Sequence, residues 1–193
     1  EAAEAKCEEF GWELETLSPT QADNNEEQIQ LLEQSLLDPP DIYLIAPADS
    51  QGIAPAIELI NEAGIPIINV STKITAEDVE YETFVGVEFY DLAKQAAYAI
   101  CEKVDNKGNV VCLEGVTGSQ SSIDIKQGSE EVFKELGMNI LESQPANYVR
   151  TDGLQVTQDL LQKHSDIDIV FAANGESALG AAEAIRQSGR EDI

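Results

Sequence analysis

The chain has 193 residues, of which 42% are hydrophobic and 25% charged, so it holds enough apolar material for a packed core and fits one to two domains. Eleven Lys and Arg stand against 37 Asp and Glu, a formal charge of −26. So acidic a surface repels phosphate backbones and anionic lipid heads, so neither nucleic acid nor direct membrane insertion is expected, and no apolar run approaches the ~20 residues of a membrane-crossing helix.

The opening Glu1-Ala2-Ala3-Glu4-Ala5-Lys6-Cys7 carries no Met and no signal peptide. It reads as the middle of a helix, with Ala2, Ala3, Cys7 and Phe10 on one side. The closing residues 188–193 read as a helix stop and the first residue of a strand, so the chain is expected to be an internal stretch of a longer protein. Between these ends, β-rich runs alternate with helical ones. Strands are predicted at Trp12–Leu17, Ile42–Ala46, Ile65–Val70, Phe84–Val87, Asn109–Leu113, Asn139–Ser143 and Ile167–Ala172. Helices are predicted at Asn25–Leu37, Gly52–Ala63, Tyr90–Val104, Ser121–Leu136, Gly153–Lys163 and Ser177–Gln187. In the first of these, Ile29, Leu32 and Leu36 make a one-sided apolar stripe. Pro39-Pro40 stops that helix, and Gly64 and Gly137 end later ones. Strands that are apolar almost throughout, alternating with helices, imply right-handed βαβ units: an α/β fold with doubly wound parallel sheets. The strands divide into a set of four and a set of three.

Cys7, Cys101 and Cys112 are odd in number and irregularly spaced, which argues against a disulfide framework and a metal site. Cys112 reads as a small buried hydrophobe, while the position of Cys101 before its strand leaves a Cys101–Cys112 bridge open.

In an open parallel sheet, ligands lie beyond the carboxyl ends of the strands. Those segments here are rich in hydroxyls and amides, with one aromatic, which suits a neutral polyhydroxy ligand. Catalysis is not indicated. The one histidine, His164, ends a helix, where a cation complements the dipole, and no histidine remains for a nucleophile triad. Gly115-Val116-Thr117-Gly118-Ser119 matches no phosphate-loop pattern and reads as a βα turn with a serine cap. Asp49, Glu88, Glu114 and Glu176 fall at strand ends, as some of 37 acids must.

Ile42-Tyr43-Leu44-Ile45-Ala46-Pro47-Ala48-Asp49-Ser50 and Ala63-Gly64-Ile65-Pro66-Ile67-Ile68-Asn69 resemble the type I periplasmic sugar-binding proteins of the ribose- and galactose-binding group. Three further stretches agree in order and spacing: 143–148, 153–161 and 170–180. The resemblance covers essentially the whole chain. It implies two α/β lobes, residues 1–87 and 88–193, that close about a hinge on one small solute. The protein would then be extracytoplasmic, in the periplasm or lipid-anchored at the cell surface, and would deliver its solute to an ABC transporter permease. A receptor's sensing domain and the effector core of a lac-repressor-like regulator share the fold and are the alternatives. The resemblance also implies that the first strand and the C-terminal part of the family's fold are missing.

Carried over by position, the family's Asp-Arg pair falls on Ser71 and Thr72, which leaves neutral donors in place of charged ones. Its cleft arginine falls on Ile125. The stacking aromatic falls on Tyr148, with Arg150 two residues on, and the amide donor on Asn174. The ligand site expected from the resemblance is thus Ser71, Thr72, Tyr148, Arg150 and Asn174, with no catalytic residue, metal or cofactor. Ribose itself does not suit this set. A less polar sugar, a deoxysugar or a non-sugar solute does.

Overall fold

The computed structural model describes residues 2–190 and 192–193, so the readings placed on Glu1 and Glu191 lie outside the described residues. Among the described residues, six strands form two separate three-stranded sheets, all parallel. The first sheet has the order β1 (Tyr43–Ile45), β2 (Ile67–Ser71), β3 (Thr83–Gly86). In the second, β4 (Asn109–Glu114) is central, between β5 (Asn139–Pro145) and β6 (Ile169–Ala172). The helices are α1 (Ala2–Phe10), α2 (Asn25–Ser35), α3 (Ala54–Glu62), α4 (Phe89–Cys101), α5 (Gln120–Glu135), α6 (Arg150–Lys163) and α7 (Gly175–Ser188).

The helices start and stop where local chemistry says they must. At α2, the Asn24 side chain accepts the Glu27 N–H at 3.0 Å, while the Glu27 carboxylate reaches back to the Thr20 N–H at 2.8 Å and hydroxyl at 2.7 Å. Gly64 and Gly137 stand two residues past the last helical residues of α3 and α5, at φ +71° and +72°, left-handed stops that cost glycine nothing.

The second sheet is covered on both faces. On one side Ala93, Ala97 and Cys101 of α4 and Ile125, Val132 and Phe133 of α5 pack against Val110, Cys112, Ile169 and Phe171. Phe133 and Phe171 meet edge to face, with ring centroids 5.5 Å apart. On the other side Leu160 of α6 and Ala181 of α7 cover Val111 and Leu113. Cys101 and Cys112 are both buried and both free, so the bridge left open by the sequence is not formed; burial pushes the Cys112 thiol up to about 12.

The first sheet is covered on one face, by α2 and α3, where Leu32, Ile53, Ile57 and Ile60 meet Tyr43, Ile45 and Ile67. Leu44 and Val85 point the other way and are 52% and 60% exposed, with Ile68 and Val70 beside them. The strand expected at Trp12–Leu17 is not formed: the segment has no regular secondary structure, and Trp12 is 66% exposed. A strand is held by a neighbour's backbone groups, and none of the described strands lies beside this segment. The sets of four and three are therefore three and three.

A candidate ligand site between the two sheets

The carboxyl ends of both sheets face one another, and the loops that leave them meet. After β1 the chain runs through Asp49 and Ser50. The Asp49 carboxylate accepts the N–H groups of Gln51 at 2.9 Å and Gly52 at 2.6 Å, which fixes the turn into α3. Ser50 is 1% exposed and uses every polar group it has. Its carbonyl accepts from the N–H of Thr75 and of Ala76 within the first sheet's own loops. Its N–H donates across to Gly118 O at 3.1 Å, and its Oγ accepts from the Gln120 N–H at 2.8 Å. Gly118 has φ +86°, and a Cβ there would stand 2.2 Å from Asp49 Oδ2, so only glycine fits this crossing point.

After β2 the chain turns tightly, with the Thr72 N–H donating to Val70 O at 2.7 Å and Ser71 at φ 62°. Asn69, fully buried, pins this turn: its Nδ2 donates to Ile45 O at 3.0 Å and Thr72 O at 2.8 Å, and its Oδ1 accepts the Ile74 N–H at 3.0 Å. Thr72, 9% exposed, is thereby aimed at the second sheet, where its Oγ1 lies 3.1 Å from Ser121 Oγ.

Ser121 is the junction of a chain of hydroxyls. Its Oγ is 2.9 Å from Ser119 Oγ and 3.1 Å from the Tyr148 hydroxyl. Ser119 precedes α5 as expected, but its side chain bonds Ser121 and not the helix backbone. The Tyr148 ring lies against Gly115, where a Cβ would come 2.1 Å from Cζ. Burial raises the Tyr148 phenol above its usual range, and hydrogen bonds with Ser121, Ser122 and Ser119 pull the other way.

Of the five expected residues, Thr72 and Tyr148 are brought together through Ser121. Asn174 stands behind Tyr148, donating from Nδ2 to its carbonyl at 3.0 Å while Oδ1 accepts the Ser177 N–H at the start of α7. Ser71 is exposed at the end of β2. Arg150 is not brought to the cluster; its guanidinium pairs with Glu183 of α7 at 3.6 Å. Ile125, on which the resemblance places the family's cleft arginine, is buried in the second core. Asn69, Ser50, Ser119, Ser121 and Ser122 complete the arrangement and were missed by sequence reasoning. The one available signal was an asparagine interrupting the apolar run Ile67-Ile68-Asn69-Val70.

Two strand-end carboxylates have structural duties: Asp49 in its turn, and Glu114, which takes Lys126 Nζ at 2.7 Å and the Ser143 hydroxyl at 2.5 Å. His164 closes α6, with Nε2 2.8 Å from Glu142. Among the described residues, no cluster of three or more His, Cys, Asp and Glu is placed to hold a metal ion, and no helix is long and apolar enough to cross a membrane. The arrangement offers aligned hydroxyls and an aromatic between two rigid sheets, which is equipment for holding a neutral polar molecule.

Comparison with known proteins points the same way. The ribose import binding protein of Salmonella typhimurium is 34% identical over 152 residues, 79% of this chain and 51% of that protein. That of Bacillus subtilis is 36% identical over 151 residues, 78% of this chain and 48% of that protein. The chain therefore spans about half the length of these curated relatives. An ABC transporter periplasmic solute binding protein from Actinobacillus succinogenes, solved with D-allose bound, superposes with a TM-score of 0.85 at 29% identity, over 97% of this chain and 67% of that one. A Mycobacterium smegmatis protein in complex with β-D-fucofuranose superposes with a TM-score of 0.89 at 29% identity, over 96% and 62%. The two ribose import proteins and the Actinobacillus protein are binding proteins by name. The model of the periplasmic binding protein domain matches residues 1–193, and the chain belongs to that family.

Proposed function

We propose that this protein binds a small neutral sugar between its two sheets, outside the cytoplasm, and presents it to the permease of an ABC importer. One observation carries the reading: the Thr72–Ser121–Tyr148 hydroxyl chain joins the carboxyl ends of two separate parallel sheets. A ligand inserted there exchanges these mutual hydrogen bonds for bonds to its own hydroxyls and draws both sheets onto itself. Binding without chemistry fits the engaged carboxylates and the histidine held at Glu142. The allose and fucofuranose complexes of the structural relatives support a monosaccharide as the ligand class. Residues 1–87 and 88–193 are inferred to be the two lobes, with Ser71 at the rim, Thr72 and Tyr148 facing the ligand, and Arg150 outside the contact set.

The test is calorimetric titration of the full chain with D-ribose, D-allose, L-arabinose and D-fucose. Saturable binding of at least one sugar is expected, weakened about 30-fold by Tyr148→Ala on the usual scale for a buried aromatic anchor. Absence of heat with all four, or equal affinity in the variant, overturns the reading.

A further inference from the structure

Two glycines where α6 meets α7 are there because nothing larger fits. A Cβ at Gly153 would stand 2.5 Å from Ser177 O, and one at Gly180 would stand 2.1 Å from Arg150 O. Gly175 has no such reason. It is the first residue of α7, its φ lies outside the left-handed region, it is exposed, and a Cβ there would meet nothing within 4 Å. What glycine does supply at this place is a backbone nitrogen with no side chain to shield it. The residue before it is Asn174, and this is the one Asn-Gly pair in the sequence.

The surroundings of that pair favour an attack of the Gly175 nitrogen on the Asn174 side chain. Because Gly175 begins its helix, it has no carbonyl a turn back to bond, and its N–H donates to no group among the described residues. The Asn174 Oδ1 accepts the Ser177 N–H at 2.9 Å, at the positive end of α7. Charge that develops on this oxygen is therefore met by a donor already in place. Asp152-Gly153 makes the contrast: there the glycine N–H is tied to Val149 O at 2.9 Å, and the pair lies within α6.

We propose that Asn174 is a self-modification site, deamidated by the backbone of Gly175. The glycine nitrogen gives its proton to solvent and bonds to Asn174 Cγ, and Oδ1 takes up the charge. As the carbonyl re-forms, the Cγ–Nδ2 bond breaks and the amide leaves as ammonia, protonated by water. Water then opens the resulting five-membered imide at either carbonyl, to aspartate or to isoaspartate. In sum, one water is consumed and one ammonia is released. Neither product has an N–H for the Tyr148 carbonyl, which Nδ2 reaches at 3.0 Å, and each adds a negative charge at the head of α7. The reaction is the chain's own and stands whether or not a sugar binds.

The test keeps the full chain folded, in mildly alkaline buffer below its melting temperature, with circular dichroism recorded throughout. Products are separated by anion exchange and located by peptide mass mapping, and isoaspartate is read by enzymatic methylation. Conversion is expected at Asn174 ahead of every other asparagine, with ammonia released in step. Gly175→Ala, for whose Cβ there is room, is expected to keep the parent's melting temperature and to slow conversion about tenfold or more. An Asn174 amide that survives in the folded chain and is lost only in urea overturns the proposal. So does conversion spread evenly over the asparagines, or an equal rate in Gly175→Ala.

Discussion

Asn69 shows how much one polar side chain can organise when it is buried with all its partners. Its amide satisfies two groups of the turn between β2 and Ile74, Thr72 O and the Ile74 N–H, and one at the end of β1, Ile45 O. Removing it strands those groups where water does not reach. Asn69→Ala is expected to lower unfolding stability by about 2–4 kcal/mol in urea titration, and to cost ligand affinity as well, because Thr72 loses its support. A loss under about 1 kcal/mol would mean that the turn holds without it. The glycines at 115 and 118 make the complementary point: one leaves room for a tyrosine ring, the other for an aspartate from the opposite sheet. Little of this was legible in sequence. Tyr148 and Thr72 were found through a family resemblance, whereas Ser50, Ser119 and Ser121 are common residues in one loop and at the start of one helix, and nothing local marks a hydroxyl as facing another hydroxyl 49 positions away or a backbone N–H 70 positions away.

At the scale of elements, sequence was a good guide wherever an element carries its own signal. Helices α2 to α7 announce themselves by apolar spacing, capping residues and C-terminal glycines, and the central strands by their apolar runs. Trp12–Leu17 has the composition of a strand but no neighbour to pair with among the described residues, and pairing is the part of a strand that composition does not encode. Strand β5 illustrates how a helix end is fastened to a sheet. Glu142 accepts from Lys163 at 2.6 Å and His164 at 2.8 Å, both at the close of α6, and from Gln144 beside it. Lys163 first, then His164 and Gln144, hold its carboxyl at about 2, below an ordinary value of 4.5. A depressed carboxyl pKa adds stability above the unfolded-state value and loses it as the group protonates in the folded protein. Its contribution is therefore full at neutral pH and fades as pH falls from 4.5 towards 2. Between those pH values, Glu142→Gln is expected to lose stability less steeply than the parent in thermal unfolding followed by circular dichroism. Parallel curves would show that the cluster adds nothing to folding.

The whole molecule is two stiff sheets that touch through their loops, and its surface carries a charge of −26. Cores on both faces of the second sheet make it the rigid half, and the cleft loops are pinned from either side by Ser50 and Ser121. The outward face of the first sheet has a consequence for behaviour in solution. Leu44 and Val85, with the half-buried Ile68 and Val70 of β2 between them, form a greasy strip on an otherwise strongly anionic body. At low ionic strength, long-range repulsion keeps two such bodies apart before the strips can touch. Salt shortens that reach from roughly 10 Å at 0.1 M to about 3 Å at 1 M, while strengthening the attraction of oily surfaces. Scattering measured against sodium sulfate is expected to show a monodisperse monomer at low salt and growing clusters at high salt, with Val85→Lys delaying the onset. The same strip that is silent in dilute buffer thus sets the colloidal limit of the protein.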